Sequence, residues 1–186
     1  MELKQYQQAV LNDLAQYIAI LKEQGSNHKA FSTYWKQNGI TLQQGEETFH
    51  PYCDTMNGAP NMTIKVPTAG GKTFIACNAI RTIFDAMPVN RTKVVAWFVP
   101  SDTILKQTYE NLKNPQHPYR QRIDTLFNGR VEVYDKQALL FGQNFNPTII
   151  KEQLSIFVLS IQSFATKATD KRLVYNENEN LAEFAK

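Results

Sequence analysis

Along the start of the chain a largely apolar stripe, Leu3, Tyr6, Gln7, Val10, Leu11, Leu14, Tyr17, Ile18 and Leu21, recurs at steps of three and four. That spacing predicts an amphipathic helix with one buried face, closed by Gly25. From there to about Pro60 the text is polar and aromatic without a clear period, which reads as an insertion over roughly residues 23–59 with a short helix at Lys29–Gln37. After Pro60 the pattern changes to strand, loop and helix: Met62–Val66 as a short strand, a break at Pro67–Gly71, and a largely apolar helix over Lys72–Met87 stopped by Pro88. Lys93–Val99 is a continuous apolar run of strand length, as expected of a parallel strand covered on both faces. Ser101 is placed to cap a helix running to about Leu112, Val131–Tyr134 is a weaker strand, and Asn146-Pro147 resembles a cap with a first-turn proline. Leu154–Ser160 is the last strong strand. Strands alternating with helices predict an α/β fold, a parallel sheet with flanking helices.

Composition bounds the answer without choosing it. With 186 residues, 42% hydrophobic and 20% charged, the chain suits one soluble domain and excludes a coiled coil or a disordered tail. Twenty basic residues against seventeen acidic ones leave any nucleic-acid affinity to a local surface. No apolar run approaches the ~20 residues of a membrane helix, the start has no signal segment, and two cysteines make no disulfide scaffold. A cytoplasmic protein is the expectation.

The chemistry concentrates at Val66–Thr73, V-P-T-A-G-G-K-T. A bound triphosphate needs converging backbone N–H groups, a helix N-terminus, a cation and a hydroxyl for Mg²⁺. Thr68, Ala69, Gly70 and Gly71 can form the cradle, Lys72 the cation and Thr73 the Mg²⁺ hydroxyl, so ATP and Mg²⁺ are the expected cofactors. Val66 stands where the first glycine of the usual G-x-x-x-x-G-K-[ST] string would be. A bare G-K-[ST] occurs by chance in about one chain in ten of this length, so the strand before it and the helix after it carry the inference. The plain alternative is a glycine turn with a solvated lysine.

With P-T-A-G-G-K-T in hand, the chain resembles superfamily-two helicases, and more narrowly the restriction subunits of type III restriction-modification enzymes, whose loop is close to K-x-P-T-G-G-G-K-T. Ala69 departs from that pattern, and its methyl would crowd the loop if positive φ is needed there. Leu3-Lys4-Gln5-Tyr6-Gln7 resembles the leading L-R-x-Y-Q element, which gives Gln7 the task of reading the adenine edge; alone, it would read as a surface glutamine. Phe98–Ser101 with Leu105-Lys106-Gln107 resembles a motif that touches the nucleic-acid backbone, implying contacts from Ser101 and Gln107. Ser101 also reads simply as a helix cap. Val158–Phe164 resembles a V-x-x-x-Q-S-F segment and implicates Gln162, and Leu173–Leu181 extends the likeness loosely.

The resemblance implies a RecA-like P-loop NTPase lobe of a DNA-dependent ATPase or translocase, acting on double-stranded DNA beside a methyltransferase and specificity subunit, in a parent enzyme of the helicase type whose nuclease activity stays open. Neither D-E-x-H nor D-E-A-D occurs, so the chain is expected to stop before the Asp-Glu box of the DEAD/DEAH type and to be inactive in hydrolysis by itself. Asn176–Glu179 reads as solvated loop. A different P-loop kinase or switch, and a non-catalytic nucleotide or nucleic-acid binding module, are the alternatives. His50, Cys53 and Asp54 could begin a zinc site but lack a second pair. Cys77 reads as core. Lys113, His117, Tyr119, Arg120, Arg122 and Arg130 form a basic cluster that could line a nucleic-acid path or a solvated loop.

Overall fold

The computed structural model describes residues 1–40, 52–56, 58–88, 91–141 and 151–163. Its chain divides into two compact units, Glu2–Met87 and, apart from Met1, Pro88–Lys186.

The first unit is helical. α1 (Gln5–Gln24) buries Gln7, Leu11, Leu14 and Tyr17 of the expected stripe and Ile20 beside it, while Tyr6, also expected on that face, is exposed. Gly25 ends it with φ +60°, a left-handed cap that returns its N–H to the Leu21 carbonyl. α2 (Asn27–Gln37) is capped by Ser26, and packs on α1 through Ala30 and an edge-to-face pair of Tyr34 with Tyr17. α3 (Lys72–Asp85) follows the glycine loop and buries Phe74, Ile75, Cys77, Asn78 and Ile80. Burial pushes the Cys77 thiol up to about 12, so it is an inert packed group, as its apolar helix setting suggests.

The second unit carries the sheet. β1 (Lys93–Val99) and β2 (Val131–Tyr134) flank β3 (Leu154–Ser160), and both pairings are parallel. All seven residues of β3 are buried, as expected of a central parallel strand covered on both faces. β1, expected from its apolar run to be covered on both faces, instead ends the three-strand order and its burial alternates, leaving Val94 and Phe98 exposed. α4 (Asp102–Lys113) packs on the sheet through Leu112, with Ser101 Oγ capping the Ile104 N–H. α5 (Pro118–Leu126) and α6 (Lys136–Phe141) complete the unit; α5 starts on a first-turn proline with His117 as cap, and Asp135 caps α6 through the Ala138 N–H.

The strand expected at Met62–Val66 is not formed. Alternation of apolar and polar residues makes a strand only where a neighbouring edge accepts its backbone groups, and this stretch has no ladder partner among the described residues. Met62 and Ile64 are exposed, and only Val66 is buried. The expected helix at Asn146-Pro147 and the late segments from Phe164 onward lie outside the described residues. α5 and α6 had no apolar period long enough to announce them, although His117-Pro118 is a helix-start signal in retrospect.

Arg120 leaves the basic cluster. Its guanidinium meets the Asp124 carboxylate at 2.9 Å and donates to the carbonyls of Val131 at 2.8 Å and Leu112 at 3.4 Å. One side chain thus ties α5 to the end of α4 and the start of β2. Its expected behaviour is structural: Arg120→Ala should cost about 2–3 kcal/mol in urea unfolding, with Arg120→Lys recovering only part, since an ammonium cannot reach three acceptors in a planar fork.

Candidate functional site

The glycine loop, Val66–Thr73, is held from below by apolar packing and from the side by α1. Val66 joins Leu11 and Ile75 in a small core, so the residue replacing the first glycine of the usual motif anchors the loop between α1 and α3. Its Cγ1 would lie 2.6 Å from a Cβ placed on Gly70, and the Pro67 carbonyl 2.9 Å from it. No side chain fits at Gly70. The Gly70 N–H returns to the Pro67 carbonyl at 3.0 Å, closing a four-residue turn over Pro67–Gly70.

Positive φ falls at two places in this loop. Ala69, the third residue of the turn, sits at φ +61°, and Gly71, the N-cap of α3, at φ +71°. The sequence departure at Ala69 therefore lands on a backbone conformation that costs an L-residue about 1–2 kcal/mol. At Gly71 the constraint is double, because an added Cβ would stand 2.6 Å from the Gln7 Nε2. α3 then begins at Lys72 with no side-chain cap, leaving its first N–H groups for a ligand.

Gln7 and Tyr6 reach this loop across more than sixty residues. Gln7 is buried; its Nε2 donates to the Gly70 carbonyl at 3.2 Å, and its Oε1 accepts the Lys4 N–H at 3.0 Å. The Tyr6 hydroxyl donates to the same Gly70 carbonyl at 2.8 Å and lies 3.3 Å from the Gln7 amide. The Tyr-Gln element and the glycine loop, separate in sequence, are one structure. Lys72 is exposed and its Nζ donates to the Pro67 carbonyl at 2.9 Å, a loop-closing contact that a phosphate would have to replace. Thr73 follows, half-buried in the first turn of α3.

Gly70 and Gly71 leave no room for side chains on the loop, and the opening turn of α3 offers unsatisfied N–H groups beside a movable cation. Those features fit a polyphosphate, and Thr73 supplies the one hydroxyl in that turn that could take Mg²⁺.

Of the residues implied for nucleic acid, Ser101 and Gln162 stand two residues beyond the C-terminal ends of β1 and β3, whose last residues Val99 and Ser160 are register partners. This carboxyl edge of a parallel sheet is where open α/β sheets bind ligands. Ser101 Oγ is engaged as a cap, Gln107 is exposed on α4, and Gln162 is exposed in a short 3₁₀ turn, Ile161–Ser163. Among the described residues no group of three or more His, Cys, Asp or Glu could hold a metal, and His50 lies outside them. Among the described residues no helix is long and apolar enough to cross a membrane.

A family model described as "Type III restriction enzyme, res subunit" matches residues 1–184. No curated protein and no solved structure matches the chain.

Two substitutions separate strain from contact in the loop. Ala69→Gly should raise stability by about 0.5–1 kcal/mol in urea unfolding, the relief of positive φ exceeding the added flexibility of the unfolded chain. Gly71→Ala should lower it and broaden or shift the Gln7 side-chain amide resonances, because the new methyl displaces that group.

Proposed function

Since the chain belongs to the type III restriction enzyme res-subunit family, we propose that Val66–Thr73 is the ATP-binding loop of a DNA-dependent translocase. The observation that carries this is the convergence of Gln7, Tyr6 and the Gly70-Gly71 loop at the uncapped N-terminus of α3. In this reading the amides of Ala69–Thr73 hold the β and γ phosphates, Lys72 swings from the Pro67 carbonyl to them, and Thr73 ligates Mg²⁺. Bound Mg²⁺ would supply charge neutralisation along the triphosphate. Gln7, already fixed on the loop, would read the adenine edge, its amide offering a donor and an acceptor together. Occupancy of the phosphate loop would then be felt directly by α1.

Ser101, Gln107 and Gln162 are the proposed backbone contacts to double-stranded DNA, placed at or near the carboxyl edge of the sheet. A methyltransferase and specificity subunit is the proposed partner, and the cytoplasm the proposed compartment. Residues 23–59 are read as an insertion in the ATP-binding lobe.

Calorimetric titration of Mg²⁺-ATP tests the site: wild type should bind, Lys72→Ala should weaken binding at least tenfold, and Gln7→Ala should reduce the preference for ATP over GTP. Equal affinity in wild type and Lys72→Ala would place the nucleotide elsewhere. Hydrolysis by residues 1–186 should be negligible with or without DNA, since the Asp-Glu box is absent from this sequence and an arginine finger alone is worth ~10³–10⁵ in rate. DNA-stimulated turnover abolished by Lys72→Ala would contradict that expectation.

A further inference from the structure

Both hydrogens of the Gln7 amide are already in use. Nε2 donates one to the Gly70 carbonyl at 3.2 Å and the other to the Tyr6 hydroxyl at 3.3 Å, while Oε1 accepts the Lys4 N–H at 3.0 Å and keeps a second lone pair. Gln7 is 3% exposed, whereas Tyr6, its neighbour in the first turn of α1, is 43% exposed. The Tyr6 hydroxyl nevertheless makes the shorter bond to Gly70, 2.8 Å against 3.2 Å. Two donors thus serve one carbonyl oxygen, one from a buried side chain and one from an exposed side chain. The second is redundant while both stay in place and matters once the first leaves.

We propose that Tyr6 is a positioning residue that keeps the phosphate loop formed while Gln7 turns to the base of a bound nucleotide. This rests on the reading of Val66–Thr73 as an ATP-binding loop and of Gln7 as the group that reads adenine. The adenine edge sets an acceptor, N7, beside a donor, the 6-amino group, so Gln7 must offer it one N–H and one oxygen lone pair. The lone pair is free and the N–H is not. Both hydrogens sit on one planar nitrogen, so turning either to a base draws Nε2 away from Gly70. With the Tyr6 hydroxyl in place, the Gly70 oxygen keeps a donor at 2.8 Å and the turn closed by the Gly70 N–H on the Pro67 carbonyl keeps its shape. Without that hydroxyl, release of Gln7 leaves the oxygen with no side-chain donor, and the lost bond weakens binding of the base. Guanine gives Gln7 no comparable return, because its N7 and O6 are both acceptors. Tyr6 therefore sets base preference by acting through Gln7.

Tyr6→Phe removes one hydroxyl from an exposed ring, and Gln7→Met removes the Gln7 donors while keeping an unbranched side chain in the same place. Mg²⁺-ATP, Mg²⁺-GTP and Mg²⁺-tripolyphosphate are titrated by calorimetry into wild type, each single variant, the double variant and Lys72→Ala, with thermal midpoints confirming that each is folded. Wild type should prefer ATP, and Tyr6→Phe should lower the ratio of ATP to GTP affinity about tenfold, toward its value in Gln7→Met. Tripolyphosphate has no base and leaves Gln7 on the loop. Gln7→Met should weaken its binding less than about threefold in the wild-type background and about tenfold in the Tyr6→Phe background, so that the two changes couple. Should the double variant fail to fold, the nucleotide ratio in Tyr6→Phe alone decides. The inference is overturned if wild type shows no preference for ATP, if Tyr6→Phe keeps the wild-type ratio, if it weakens all three ligands by the same factor, or if the losses in the double variant simply add. The Lys72→Ala arm separates the two failures. Weaker tripolyphosphate binding in Lys72→Ala together with any of those results overturns this inference alone; equal binding in Lys72→Ala and wild type overturns the phosphate-loop reading and this inference with it.

Discussion

One carbonyl organises the glycine-loop unit of this protein. The Gly70 oxygen accepts hydrogen bonds from the Tyr6 hydroxyl and the Gln7 amide, two side chains of the first turn of α1. A glycine loop offers its N–H groups to phosphate only if its carbonyls are turned away and held, since free loops pay heavily in backbone entropy to converge on one ligand. Here α1 supplies the restraint, and the same glutamine fastens its own helix start through the Lys4 N–H. The position of α1, the shape of the loop and the N-terminus of α3 are therefore one problem with one solution.

That solution carries a cost at Ala69 and gains support at Val66. A glycine at position 69 would adopt φ +61° freely, while alanine stores strain there, and the loop keeps its turn because the surrounding contacts over-determine it. Val66 works in the opposite sense. Where a glycine-led loop has no side chain to anchor, this one inserts an isopropyl group between Leu11 and Ile75 and thereby forbids any side chain at Gly70. Strain in the turn and packing beneath it act on adjacent residues, so substitutions at 66, 69 and 70 are expected to couple and not to add.

Much of the architecture was legible because burial imposes a period. The α1 stripe, β1, β2 and β3 all follow from apolar spacing, and the parallel sheet follows from their alternation with helices. Met62–Val66 shows the limit: its alternation is that of a strand, but strand formation depends on a partner edge that no local pattern encodes. α5 and α6 were missed because they are short and carry no long apolar stripe: α5 is held by the buried Ile123 and the Arg120 contacts, and α6 is capped by Asp135. The structural role of Arg120 was hidden for a related reason, since composition cannot tell a solvated arginine from one whose donors reach a carboxylate and two backbone carbonyls. At the candidate site, the glycine turn leading into a helix at Lys72 was readable from local chemistry alone. Gln7 needed the resemblance, because a glutamine in an amphipathic helix gives no sign that it will be buried against a loop more than sixty residues away.

The central claim is that phosphate recognition and the α1 amide form a single responsive unit, and amide-resolved NMR reads it most directly. Adding a non-hydrolysable Mg²⁺-ATP analogue to ¹⁵N-labelled protein should produce its largest shifts at Ala69, Gly70, Gly71, Lys72 and Thr73 together with the side-chain amide of Gln7. Saturation of the protein with these five backbone amides and the Gln7 amide unmoved would contradict the account.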